Sequence, residues 1–468
     1  MVENHWHGKR VVIIGAARQG LALARFLARH KAVVVLNDQR PEQLLQAEMK
    51  SLADYDVQWA VGGHSLDILS PLPDVVCVSG GVPLENPLVV HALNHQIQVT
   101  NDTQIFMDAV PCKTAGITGS AGKTTTTTLV GRMAKTAEGK QYRRVWIGGN
   151  IGDPLLNYVD EMQPDDLAIL EISSFQSEIM TSSPNVAAIL NITPNHLDRH
   201  KTMENYSAAK ARVIQFQKKD DWAVLGRDDP EAWRLSKQVR GGLISFGLSP
   251  LPTGQYGTFT EDGLIYLRGV SETTRLRLED EILLRGEHNR LNVMAACTIA
   301  HAVGLDMEAM RAGISNFGGV PHRIEYVRTW HGTEWYNDSI ATAPERTIAA
   351  IRAFQTPLIL LLGGKDKDLP WDELAKLVHQ RVSHVIIFGA AAEKIEHALS
   401  MTQPESHLGS ITRVKTCQEA VKAAGRLAQP GFTALFSPGG TSYDEFKDFE
   451  ERGERFKQWV LEFSEKAQ

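Results

Sequence analysis

Gly119-Ser120-Ala121-Gly122-Lys123-Thr124 follows the apolar run Thr114 to Thr118 and opens a stretch of helical character. Such a turn aims backbone N–H groups and the positive end of a helix at one spot, which makes a cradle for phosphate. In that role Lys123 reaches the β- and γ-phosphates and the Thr124 hydroxyl ligates Mg²⁺. Gly116 stands one residue too early for the common GxxxxGK[ST] spacing, so the pattern is GxxGKT. Phosphoryl transfer also needs a carboxylate for the metal, and Glu171 ends the apolar run Leu167 to Leu170 downstream. A second glycine turn, Gly15-Ala16-Ala17-Arg18-Gln19-Gly20, fills the place of the dinucleotide fingerprint. There Ala17 replaces the middle glycine that lets backbone approach a pyrophosphate. This weakens an NAD-dependent oxidoreductase, the competing class of enzyme. Asp38, closing the next apolar run, is placed to hydrogen-bond a ribose or a base edge.

Short apolar runs punctuated by glycine or polar residues, alternating with helical stretches, must position these groups. That alternation predicts an α/β protein with parallel, doubly wound sheets. Three units are expected. Residues 1–110 form a Rossmann-like domain with strands at Val11 to Ile14, Ala32 to Leu36 and Asp74 to Val78. Residues 111–319 form a central phosphate-loop domain with a β-rich excursion from about Trp222 to Leu284. Residues 320–468 form a second Rossmann-like domain.

The 468 residues exceed what one core usually holds, which also argues for two or three domains. At 43% hydrophobic and 22% charged the chain reads as an ordinary soluble protein. A net charge of −6 gives no electrostatic case for nucleic acid. The four cysteines (Cys77, Cys112, Cys297, Cys417) form no CxxC pair and read as buried thiols in a reducing compartment. No run approaches 18 apolar residues and the first residues lack a signal-peptide core, so a cytoplasmic protein without membrane insertion is expected.

Further motifs follow in order. They are Asn191 to His200 (Asn-Ile-Thr-Pro-Asn-His-Leu-Asp-Arg-His), Tyr206 to Lys210 (Tyr-Ser-Ala-Ala-Lys) and Gly286 to Asn292 (Gly-Glu-His-Asn-Arg-Leu-Asn). Then come Pro321-His322-Arg323, Asn337-Asp338-Ser339, Gly363 to Lys367 and Ser437 to Ser442. With the phosphate loop, this ordered set resembles the Mur ligase family over essentially the whole chain, nearest its glutamate-adding members. The resemblance implies an ATP- and Mg²⁺-dependent ligase of peptidoglycan precursor synthesis. It would join glutamate to UDP-N-acetylmuramoyl-L-alanine through an acyl phosphate. D-glutamate is favoured and L-glutamate is the alternative.

Residue by residue, the resemblance implies an ATP site at Gly119, Ser120, Ala121, Gly122, Lys123, Thr124, Thr125, Asn289, Asn292, Arg323 and Asp338. Thr124 and Glu171 would hold one Mg²⁺, and His196 and an N-carboxylated Lys210 a second. Lys123, His196 and Lys210 form the catalytic set. Arg18, Gln19, Asp38, Gln39, Arg40, Ser79 and Gly81 would grip UDP, while Asn150, Ser173 and Gln176 face the muramoyl part. Thr342, Lys367, Ser442 and Phe449 match the glutamate pocket. The chain departs from the family pattern at Ala121 (usually Asn), Asn195 (usually a carboxylate), Ile340 (usually Lys) and Gly439-Gly440-Thr441 (usually Ala-Cys-Ala). The last two lie around the amino-acid pocket, where they remove a cation and side chains and could admit a mirrored substrate.

Overall fold

The computed structural model describes residues 5–269, 272–276, 282, 284, 286–366, 369–401 and 407–466. They form two compact units, Met1–Phe317 and Gly318–Gln468. The first unit holds two sheets. One has five parallel strands, β1 (Arg10–Ile14), β2 (Val33–Asp38), β3 (Val57–Val61), β4 (Val75–Val78) and β5 (Gln98–Thr100), in the order β3-β2-β1-β4-β5. The sequence Val11-Val12-Ile13-Ile14 is apolar throughout because both faces of β1 are covered. Val11 and Ile13 pack with Leu23, Phe26 and Leu27 of helix Arg18–Arg29. Val12 and Ile14 pack with Leu88 and Val89 of helix Pro87–Asn94.

The second sheet has nine strands. They are β6 (Lys113–Thr118), β7 (Val145–Gly149), β8 (Leu167–Glu171), β9 (Val186–Ile189), β10 (Trp222–Gly226), β11 (Gly242–Phe246), β12 (Gly257–Glu261), β13 (Leu264–Arg268) and β14 (Thr273–Arg275). Their order is β14-β13-β12-β11-β10-β9-β6-β8-β7. The expected β-rich excursion divides: β10, β11 and β12 continue the parallel sheet, and at its edge β13 pairs antiparallel with both β12 and β14. β6 lies between β8 and β9, so the phosphate loop, Glu171 and Asn191 all emerge from carboxyl ends of adjacent strands. Ligands bind at such ends in open α/β sheets.

Polar contacts tie the first sheet's domain to the central one. Asn101 Nδ2 donates to the Gln176 carbonyl at 2.8 Å, Gln176 Nε2 to Asp102 at 3.3 Å, and Thr181 N–H to Gln104 Oε1 at 2.7 Å. Arg29 pairs with Asp160 at 3.0 Å.

The second unit has strands β15 (Glu325–Trp330), β16 (Thr333–Asn337), β17 (Leu358–Gly363), β18 (Val382–Phe388), β19 (Ser410–Arg413) and β20 (Thr433–Gly439). Their order is β15-β16-β20-β17-β18-β19, with β15 antiparallel and the rest parallel. Along β17, Leu358, Leu360 and Leu362 enter one core, and Ile359 and Leu361 enter the other with Phe456 of helix Phe449–Lys466. All four cysteines are buried and free. Among the described residues no helix is long and apolar enough to cross a membrane.

One helical glycine reports how tightly this unit packs. A Cβ on Gly453 would stand 2.1 Å from the His322 imidazole, itself held at φ +63°. Propensity alone would make Gly453→Ala stabilising by about 1 kcal/mol. The clash is expected to win, with a net loss of roughly 1–3 kcal/mol, as for other overpacked cores. Denaturant titration checks this, and an alanine variant more stable than the parent would contradict the packing.

Candidate active site

The phosphate loop is held in shape before any ligand arrives. Gly122 is left-handed at φ +84°, and a Cβ there would lie 2.2 Å from Asn292 Oδ1, so both conformation and contact require glycine. Asn292 is in turn bonded by its amide to Asn289 Oδ1 at 3.1 Å. From β9's end, the Asn191 side chain accepts from Ala121 N–H at 2.8 Å and donates to the Ala121 carbonyl at 3.1 Å. Ser120 Oγ exchanges bonds with the Thr193 backbone and touches Tyr206 Oη at 3.0 Å. Thr124 and Thr125 occupy the first turn of helix Lys123–Thr136, half-buried.

Two lysines meet at this loop. Lys123 Nζ donates to the Gly119 carbonyl at 2.8 Å and to that of Ser120 at 3.3 Å. Lys210 Nζ reaches the same Gly119 carbonyl at 3.0 Å, with Thr118 Oγ1 at 3.5 Å and the Tyr206 ring 4.6 Å away. Lys210 is only 1% exposed. Burial, aided by the charge of Lys123, holds its amine well below the ordinary lysine range.

Glu171, at the end of β8, is also buried. Its Oε1 accepts from Asn150 Nδ2 at 2.8 Å, while no hydrogen bond reaches Oε2 within the described residues. A buried carboxylate oxygen without a donor is costly unless a cation meets it. With the Thr124 hydroxyl, this hard oxygen donor suits Mg²⁺, which takes few protein ligands and keeps several waters.

His196 lies in the left-handed region at φ +53°, exposed, its ring edge-on to Phe175 with 5.0 Å between ring centres. Among the described residues no three His, Cys, Asp or Glu side chains gather as a metal cluster.

In the first domain, Gln19, Asp38, Gln39, Arg40, Ser79 and Gly81 line one cavity of about 670 Å³. Asp38 lines this cavity and is also bonded within the protein. Its Oδ2 accepts from Ala16 N–H at 2.8 Å and Arg40 Nη2 at 3.0 Å, and its Oδ1 from Arg40 N–H and Nε. Burial would raise this carboxyl, yet the Arg40 bonds outweigh it and hold the carboxyl low. Asp38 therefore braces the Gly15–Gly20 turn through internal bonds.

Arg18 is not among the cavity's lining residues and donates to the Asn150 carbonyl at 2.8 Å. Ser173 and Gln176 form a capping box at helix Ser174–Ser177. Gln176 thereby joins Asp102, whose fully enclosed carboxyl burial pushes up to about 6.

In the second unit, Asp338 accepts from Ser437 Oγ at 2.7 Å and Ile324 N–H at 3.2 Å, and burial raises its carboxyl to about 6. Arg323 is exposed, and its charge pulls the Asp338 value back down. Thr342 is half-buried, Ser442 buried, and Phe449 sits edge-on to His322 at 6.2 Å. Lys367 lies outside the described residues.

The space expected to open at Gly439-Gly440 is filled. A Cβ on Gly439 would meet the Trp371 ring at 3.0 Å, and one on Gly440 the Gly363 carbonyl at 2.6 Å. Near Ile340, which lacks the usual ammonium, the Arg346 guanidinium donates to the Ile340 carbonyl at 3.1 Å.

Sequence reasoning assigned no role to Asn191, Tyr206, Asp102 or Arg452. Tyr206 and Lys210 are four apart on helix Met203–Gln215 and so share a face, a spacing that could have flagged the tyrosine. Arg452 is fully buried and donates to Ser339 Oγ and carbonyl and to the Gly440 carbonyl at 2.8–3.0 Å, joining two segments of the expected glutamate pocket.

A phosphate loop with a buried acid on the neighbouring strand, in a chain that also carries Rossmann-like domains, defines a multidomain phosphate-loop enzyme of the α/β class. Residues 9–101 match the MurD-like N-terminal domain of Mur ligases, 117–300 the Mur ligase middle domain, and 322–440 the Mur ligase glutamate ligase domain. UDP-N-acetylmuramoylalanine–D-glutamate ligase of Symbiobacterium thermophilum is 37% identical over 453 residues, covering 97% of this chain and 98% of that protein. The protein of the same name from Acetivibrio thermocellus is 36% identical over 455 residues, covering 97% and 96%. In fold, the chain is similar to MurF from Acinetobacter baumannii, with a TM-score of 0.54, 16% identity and 97% and 93% coverage. It is likewise similar to the alanine ligase MurC from Thermotoga maritima, with a TM-score of 0.52, 17% identity and 98% and 100% coverage. The chain belongs to the Mur ligase family.

The lowered Lys210 amine makes a stability prediction. Between its folded value and the ordinary lysine range, the unfolded chain binds a proton that the folded chain refuses. Stability therefore rises with pH across that window on account of this residue, and the penalty is complete below the folded value. Lys210→Met is expected to flatten the rise in denaturant midpoints measured over a pH series. An unchanged slope would contradict a neutral buried amine.

Proposed function

We propose that this chain is an ATP-dependent ligase that adds D-glutamate to UDP-N-acetylmuramoyl-alanine. The observation that carries the reading is the convergence of the phosphate loop, the donorless Oε2 of Glu171 and the buried Lys210 amine at the carboxyl ends of β6 and β8. The choice of acceptor and amino acid draws support from the names of relatives aligned along 97% of the chain.

In the first step the alanyl carboxylate oxygen bonds to the γ-phosphorus of ATP, the bond to the β-phosphate oxygen breaks, and ADP leaves. The loop N–H groups and Lys123 hold the phosphates in line, so that positioning supplies much of the rate. Thr124 and Glu171 would hold one Mg²⁺ and His196 and carboxylated Lys210 another, which offset charge on the transferring phosphoryl group when bound. In the second step the glutamate amine attacks the acyl carbon, loses a proton, and phosphate departs. Neutral Lys210 can add CO₂ directly: an N–C bond forms, one amine proton leaves, and a carboxylate results.

The first-domain cavity would take UDP, while Thr342, Lys367, Ser442 and Phe449 would receive glutamate. Arg346 restores a cation near Ile340, and filled space around Gly439-Gly440 leaves less room for a mirrored substrate. These points favour the D enantiomer. Dependence on ATP fits a cytoplasmic enzyme.

An ADP-release assay tests this with acceptor and each glutamate enantiomer at equal concentration. Release is expected only when ATP, Mg²⁺, acceptor and D-glutamate are all present. Turnover without the UDP-linked acceptor, or faster turnover of L-glutamate, would overturn the assignment.

A further inference from the structure

Arg199 joins two sites that the chain separates widely. Its Nη2 donates to the Val82 carbonyl at 2.6 Å and Nη1 to the Gly80 carbonyl at 3.4 Å. Ser79, Gly81 and Val82 of that segment line the first-domain cavity. The same guanidinium lies 4.3 Å from the centre of the Phe175 ring. Phe175 meets His196 edge-on at 5.0 Å and stacks on His200 at 5.4 Å with 13° between planes. His200 is buried and bonded to Ser174 Oγ at 3.0 Å. An unbroken packed path thus runs from the cavity wall to His196.

The segment at the far end of that path is conformationally strained. His196 at φ +53° and Lys201 at φ +68° bracket the one-turn helix Leu197–His200. Left-handed conformations at non-glycine residues persist only where surroundings over-determine them. Arg199, inside the bracketed turn, is fastened to the cavity wall, so what holds that wall also bears on the strained turn. A ligand that shifts or stiffens Ser79–Val82 must act on Arg199, and through Phe175 on the imidazole.

We infer that Arg199 is a positioning residue that couples occupancy of the first-domain cavity to the placement of His196. Filling the cavity with the uridine diphosphate end of the acceptor sets the imidazole before phosphoryl transfer begins. Both ends of the coupling rest on the proposed function, which supplies UDP as the ligand and His196 as a metal-site residue. The coupling itself rests on the Arg199 and Phe175 contacts. Such couplings are reciprocal, so the state of His196 also alters the cavity's affinity.

Histidine-labelled protein lets one NMR spectrum read both ends without metal or turnover. His64 lines the cavity and reports whether UDP is bound; His196 reports the coupling. Each is assigned by the resonance lost in His64→Gln and His196→Gln. In the parent, UDP is expected to shift both resonances along the same saturation curve. In Arg199→Met, His64 should still shift while the His196 response is lost. Arg199→Lys, which keeps the charge but not the two-pronged donor, should lose most of it. Retained dispersion of the other histidine resonances shows that each variant folds. A parent in which His64 moves and His196 does not would overturn the inference, as would an undiminished His196 response in both variants. No His64 shift at any UDP concentration would instead sink the assignment of the cavity to UDP.

Discussion

The Gly119 carbonyl accepts hydrogen bonds from two lysine amines, Lys123 and Lys210, and much of the site follows from that arrangement. Two ammonium ions cannot share one carbonyl in a buried setting without severe repulsion and desolvation. Burial first, and the neighbouring Lys123 charge second, push the Lys210 amine well below the ordinary lysine range. That lowered amine stands beside the phosphate cradle, on the same carbonyl as Lys123. Tyr206 fixes both partners: its ring covers the Lys210 amine and its hydroxyl meets Ser120 Oγ within the loop.

The same loop is clamped from a neighbouring strand. Asn191 after β9 occupies both backbone groups of Ala121, the position where the family pattern usually carries an asparagine of its own. Glu171 after β8 is tied through Asn150 to Arg18 in the first domain. The acid that would meet the metal is thus joined by hydrogen bonds to the domain that would bind the acceptor. Because each group leaves the carboxyl end of a strand, the sheet order β9-β6-β8 decides which groups can meet.

Sequence alone went furthest where one local rule dominates. β1 and β8 are short apolar runs because parallel strands are covered on both faces, and the glycine turn after β6 has a composition few other structures demand. The excursion was harder, since a parallel strand such as β12 and the antiparallel pair that follows carry similar residues. Asp38 was expected to face ligand and does line the cavity, while its bonds to Arg40 and the Ala16 N–H add a bracing role that no spacing rule reveals. Gly439 and Gly440 suggested vacancy, and only the fold shows Trp371 and the end of β17 occupying it. Asn191, Asp102 and Arg452 act through partners far away in sequence, so no spacing rule could reveal them.

Carbon-13 NMR of the protein equilibrated with ¹³C-bicarbonate addresses the Lys210 amine most directly. A slowly exchanging carbamate resonance is expected in the parent, formed near neutral pH and missing from Lys210→Met. A parent without that resonance, in which every lysine amine titrates in the ordinary range, would contradict that expectation.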